Sequence, residues 1–202
     1  MRASPGLEVV LFDGRGGEFP AEVAHCGRAD IELNIGPRRE VERELPFELT
    51  LGVPLPKGDR QRWLIEKAVE LGVSRLIPLK TARTERSRDE VAVKLRRYVI
   101  EASKQCGRNR LMEITPTVEW SKLMGEPIER RTIAHLEGRP LANVFSGPAS
   151  DVLLAVGPEG GLTDGEVEQA VQADWELVTL GERILRVETA ALALVAQYQL
   201  MS

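Results

Sequence analysis

The chain has 202 residues, of which 43% are hydrophobic and 29% charged, with a net charge of −4. That is the composition of a soluble globular protein of one large or two small domains. No run reaches the length of a membrane span, the N-terminus has no export signal, and His25 and His135 join no Cys/His/Asp cluster of ligand spacing, so neither a membrane anchor nor a zinc site is expected. The unpaired Cys26 and Cys106 read as reduced thiols of a cytoplasmic protein.

In chain order, Leu7–Phe12 reads as a strand, Asp13-Gly14-Arg15-Gly16-Gly17 as a hairpin turn, and Glu18–Val23 as the return strand. Ala29–Ile35 alternates, with Ile31, Leu33 and Ile35 on one side of a half-buried strand. Three strands make an incomplete sheet, too small for a stable core of its own. Residues 36–46, polar and flanked by Pro37 and Pro46, read as a linker.

Phe47–Val53 starts the second domain as a strand. Residues 59–71 follow as a helix, with Asp59 as N-cap, Leu64, Ala68 and Leu71 on one face, and Gly72 as terminator. Val73–Leu79 is the next strand, Thr81–Arg88 a basic irregular span, and residues 89–106 a helix with Val91, Leu95, Val99 and Ala102 inward. Between residues 57 and 110, fifteen basic side chains face seven acidic ones, +8 against −12 for the rest of the chain. Such a basic middle suits a polyanion such as nucleic acid, or is a solvated helix face. Arg108, Asn109 and Arg110 in the loop after this helix either grip phosphates and base edges or cap the helix dipole.

Strands recur at Arg131–Leu136, Val152–Val156 and Trp175–Leu180, and a glycine-bearing loop, Glu137 to Pro140, follows the first of them. Thr163 and Glu166 form a capping box that opens a helix over 163–173. The last helix, 187–200, is apolar nearly all round, as if buried by a second subunit as well as by its own sheet. Alternating strands and helices predict an α/β domain with a largely parallel sheet. Gly157-Pro158-Glu159-Gly160-Gly161 lies at the C-terminal end of a buried strand, where such sheets hold ligands; it is a ligand loop or a tight turn.

Val156–Thr163, followed by Leu180-Gly181-x-Arg183-Ile184-Leu185-Arg186-x-Glu188-Thr189-Ala190, resembles the signature of the RsmE family, the ribosomal RNA small subunit methyltransferases E of the SPOUT superfamily. Lys57–Arg60, Trp63–Val73, Glu101–Arg108 and Leu11–Gly17 also match, so the resemblance runs through nearly the whole chain. The two C-terminal motifs are highly specific together, whereas the glycine pentapeptide occurs more widely. The resemblance implies a SPOUT-type, trefoil-knotted α/β methyltransferase domain over 46–202. It also implies a small PUA-like β module over 1–45, shortened by a strand or two before Pro5-Gly6 relative to family members. A homodimer is implied, binding S-adenosylmethionine in a bent shape and methylating N3 of one uridine in 16S ribosomal RNA.

By position, the cofactor would meet Leu136, Glu137, Gly138, Val156, Gly157, Pro158, Glu159, Gly160, Gly161, Leu180, Gly181, Ile184, Leu185, Arg186, Thr189 and Ala190. RNA contacts are expected from Arg15, Lys57, Arg60, Arg83, Arg86, Arg108, Asn109 and Arg110. Uridine N3 must lose a proton before it attacks a sulfonium methyl, so positive charge near the carbonyl oxygens helps. Arg186 is the first choice for that role. Glu188 either orients Arg186, accepts the proton, or is a carboxylate favoured by the helix dipole. The rival expectations are an RNA-binding or ribosome-assembly protein without turnover, and the same chemistry on another RNA.

Overall fold

The computed structural model describes residues 3–84, 92–145, 147 and 150–200. They form two compact units, one of residues 1–44 with 103–111 and one of residues 45–102 with 112–202.

The first unit is an antiparallel sheet of β1 (Glu8–Leu11), β2 (Phe19–Cys26) and β3 (Ile31–Ile35), with β2 in the middle. The predicted hairpin pairs Leu11 with Phe19, and β3 pairs Leu33 with Val23. Ala21 and Val23 of the central strand are buried. The half-buried β3 expected from its alternation is not what forms. Ile31 and Ile35 remain 53% and 61% exposed, because β3 is an edge strand of a three-stranded sheet. Residues 107–111, which the sequence places beyond the linker, bond to the hairpin turn: Gly16 N donates to Asn109 O, and Leu111 N to Gly14 O.

The second unit is built on a parallel sheet. Its strands are β4 (Leu49–Val53), β5 (Arg75–Lys80), β6 (Glu113–Ile114), β7 (Val118–Glu119), β8 (Arg130–Pro140), β9 (Val152–Ala155) and β10 (Glu176–Thr179). The order is β10-β8-β9-β4-β5-β6, with β7 also on β5, and every pairing is parallel. All residues of β4 and β9 are buried, as their continuous apolar runs require of central parallel strands.

The helices are α1 (Asp59–Glu70), α2 (Ala92–Cys106), α3 (Trp120–Leu123), α4 (Asp164–Gln172) and α5 (Val187–Gln199). Helix α2 buries Leu95, Val99 and Ala102 as predicted, while Val91 lies outside the described residues. Asp59 is not the cap of α1. Gly58 holds that place, and Asp59 sits in the first turn, where its charge still suits the dipole. The capping box of Thr163 and Glu166 forms in full. The short elements β6, β7 and α3 were not predicted.

Strand β8 runs on to Pro140, through residues expected to form a loop. Leu177 of β10 pairs with Ile133, yet the next residue, Val178, pairs with Arg139, so residues 134–138 leave the ladder. A buried cluster of Ile77, Leu79, Trp120, Leu123, Ile133, Leu153 and Trp175 packs in this unit.

Candidate active site

In a parallel sheet, all strands deliver their C-terminal ends to one edge. Here the ends of β9 and β10 converge with the middle of β8 and the first turns of α5 on a single cleft. Its walls are Ala134–Leu136 within β8, where it leaves the ladder with β10, Val156–Glu159 with Gly161 and Leu162 after β9, Leu180–Leu185 without Glu182 after β10, and Val187 and Ala190 of α5.

Of the residues expected to hold the cofactor, Leu136, Val156, Gly157, Pro158, Glu159, Gly161, Leu180, Gly181, Ile184, Leu185 and Ala190 line this cleft. Glu137, Gly138, Gly160, Arg186 and Thr189 are not among its lining residues. Ala134, His135, Leu162, Arg183 and Val187 line it without having been predicted. Leu162, Arg183 and Val187 sit within or beside the two glycine-bearing motifs. Ala134 and His135 owe their place to the excursion from the β8–β10 ladder, which has no local signal.

Gly138 has a steric reason to be glycine. A Cβ there would lie 2.4 Å from Val178 C and 2.5 Å from Val178 N, inside the backbone of β10. Its role is a close crossing of two main chains.

The loop after β9 is shaped by its own bonds. Gly161 N donates to Pro158 O at 2.8 Å. The loop after β10 is tied only at its start. Thr179 Oγ1 meets Gly181 N at 3.2 Å, and no hydrogen bond among the described residues engages the amides of Arg183, Ile184 or Leu185. The apolar side chains of Val156, Leu162, Leu180, Ile184 and Leu185 suit a flat purine ring, and main-chain polar groups with Glu159 and His135 offer partners to polar ends. S-adenosylmethionine, expected from the resemblance, fits this lining.

Arg186 is the N-cap residue of α5. It is exposed, and its side chain has no hydrogen bond or ion pair among the described residues. Glu188 is buried in the first turn. Its nearest cation is Arg60 of α1, with Nη1 4.0 Å from Glu188 Oε1, and its Oε2 has no hydrogen-bond partner. Of the three roles open to Glu188, orienting Arg186 thus has no bond behind it; the ion pair is with Arg60, which also stands 3.8 Å from Glu159 Oε1 in the glycine loop.

Among the other residues expected at RNA, Arg15, Lys57 and Arg110 are exposed, and Arg86 lies outside the described residues. Arg83 is exposed but donates to Gly160 O at 2.7 Å. Arg108 and Asn109 are not presented on a surface; they are 5% and 1% exposed. Arg108 grips Glu44 with Nε and Nη2, and Asn109 Nδ2 donates to Val41 O at 2.7 Å. A buried fork of this kind needs both its charges paired. No group of three or more His, Cys, Asp or Glu side chains among the described residues is arranged to hold a metal. No helix among them is long and apolar enough to cross a membrane.

A family model of the RNA methyltransferase domain matches residues 43–199. The chain is 29% identical to the ribosomal RNA small subunit methyltransferase E of Bacillus subtilis (strain 168), covering 95% of this chain and 81% of the relative. It is 30% identical to the protein of the same name from Rickettsia conorii, over 100% of this chain and 83% of the relative. The crystal structure of a ribosomal RNA small subunit methyltransferase E from Neisseria gonorrhoeae bound to S-adenosyl methionine superposes with a TM-score of 0.91. That match is 31% identical and covers 98% of this chain and 85% of the other.

Proposed function

Because the chain belongs to the RsmE family of ribosomal RNA small subunit methyltransferases, with their SPOUT fold, we propose that this S-adenosylmethionine-dependent 16S ribosomal RNA methyltransferase acts at N3 of one uridine. The observation that carries this reading is the cleft itself, where two strand ends, the middle of β8 and the start of α5 bring both signature motifs face to face.

The bound cofactor supplies an electrophilic methyl group on a sulfonium. The chain supplies shape and charge. The middle of β8 and the loops after β9 and β10 hold the donor, and Arg186, exposed beside them, stabilises the negative charge that develops on the uracil oxygens. Glu188, buried with one unbonded oxygen, is the proton acceptor or holds Arg60 in place. Exposed Arg15 and Arg110 serve RNA from the first unit, read as a PUA-like module, and Lys57 from the second, the methyltransferase domain.

The protein works in the cytoplasm as a homodimer. Thr189, Ala190, Ala193, Ala196 and Gln197 leave one side of the apolar α5 less than fully buried, which supports a second copy there. The close crossing of Gly138 over β10 supports a trefoil knot. The reading without turnover has no observation of its own.

The test is methyl transfer from labelled S-adenosylmethionine to small ribosomal subunits, followed by nuclease mapping. Label at a uridine N3 is expected; label at a ribose 2′-hydroxyl would refute the base assignment.

A further inference from the structure

The sequence offers Arg83 as one more cation of a basic middle. Its surroundings suggest another use. Strand β5 leads into a turn, Thr81–Thr84, that is closed on itself. Thr84 N donates to Thr81 O at 3.2 Å, Thr81 N donates to Thr84 Oγ1 at 3.0 Å, and the two hydroxyls stand 2.8 Å apart.

Two groups of this turn reach the segment that walls the cleft. Arg83 Nη1 donates to Gly160 O at 2.7 Å and lies 3.4 Å from Leu162 O. Ala82 N donates to Glu166 Oε1 at 2.7 Å. The other carboxylate oxygen of Glu166 accepts from Thr163 N at 2.8 Å and from Thr163 Oγ1 at 3.0 Å. A capping box needs one carboxylate oxygen for the backbone N–H of the cap residue. Here the second oxygen ties the helix start to the turn after β5, and Glu166 as a residue is 7% exposed.

We propose that Arg83 is a positioning residue for the cofactor, holding the glycine loop in its binding shape, and not an RNA contact. This rests on the reading that the cleft binds S-adenosylmethionine. Gly160 and Leu162 flank Gly161, and Gly161 and Leu162 line the cleft. A loop with three glycines has much backbone freedom to lose on binding, and a tether on its carbonyls removes part of that cost in advance. The tether lies against Gly160. A Cβ built there would stand 3.3 Å from Arg83 Cβ and 3.4 Å from Cδ.

The experiment is calorimetric titration of the RNA-free protein with S-adenosylmethionine. R83A is expected to weaken binding about fivefold, the loss of one hydrogen bond with a charged donor at an exposed site. R83K should recover part of the loss, and the KM for ribosomal RNA should stay at the wild-type value. G160A presses a methyl group against Arg83 and should also weaken binding, and R83A/G160A should cost less than the sum of the two. Wild-type affinity in R83A, a cost that falls on the KM for RNA instead, or full additivity overturns the proposal. A wild-type protein that takes up no S-adenosylmethionine overturns instead the reading of the cleft.

Discussion

The two loops that wall the cleft are built in opposite ways. The stretch after β9 is fastened at several points: Gly161 N to Pro158 O, Arg83 to Gly160 O, and at its exit the reciprocal box of Thr163 and Glu166. The stretch after β10 has one local tie, between Thr179 Oγ1 and Gly181, and residues 181–184 are exposed. Both follow parallel strands of one sheet, and both carry a family motif. The first wall is thus formed ahead of its ligand, while the second keeps freedom to lose on binding. Substitutions behind the first wall should therefore cost stability, and substitutions in the second should cost binding or turnover alone.

The largest effect is expected behind the first wall. Glu166→Ala leaves the amides of Ala82 and Thr163 without their acceptors and removes the capping box. Hydrogen bonds to a charged group are worth roughly 1.5–3 kcal/mol each and the cap about 1 kcal/mol, and the exposure of Ala82 and partial exposure of Thr163 offset some of this, so the whole should be about 3 kcal/mol. Urea denaturation measures it, and affinity for S-adenosylmethionine should fall with it. A loss below about 0.5 kcal/mol, the range of an ordinary surface change, would mean that the first wall is no better braced than the second.

Arg186 sits at the border of the second wall. Arg186→Ala removes an exposed guanidinium with no partner among the described residues. Stability should change by less than about 0.5 kcal/mol. Single-turnover methyl transfer should slow roughly thirtyfold, about 2 kcal/mol of lost charge stabilisation. An unchanged rate would remove Arg186 from the chemistry.

The same contrast explains what could be read from the sequence. The capping box, the buried runs of β4 and β9, and the glycine loop are local patterns. Each is decided by residues a few positions apart, so each is legible. Residues 134–138 are different. They leave their ladder because Val178, some forty positions on, pairs with Arg139. Arg108 and Asn109 look like any exposed basic loop until Glu44 and Val41 come back to bury them. Arg83 looks like a nucleic-acid contact until Gly160 arrives beneath it. Strands β6 and β7, two residues each, carry too little pattern to be seen. The cleft was therefore legible where motifs line it and hidden where distant pairing shapes it.

The smallest expected effect tests the second wall most directly. Ile184 is 87% exposed, although it lines the cleft. In the free protein, its side chain has little burial to lose, so Ile184→Ala should leave the urea midpoint unchanged. If the loop after β10 folds down on the cofactor, the same side chain becomes buried in the complex. Removing its outer carbons then costs about 1 kcal/mol of the binding free energy, roughly a fivefold rise in Kd. Hydrogen exchange adds a second readout, because the unengaged amides of Arg183, Ile184 and Leu185 should exchange freely in the apo protein and slow when cofactor is present. The two measurements must move together. Slowed exchange with an unchanged Kd in Ile184→Ala would mean that the main chain closes on the ligand and the side chain stays in water. Unchanged exchange would mean that the second wall is as preformed as the first, and the contrast between the loops would fail.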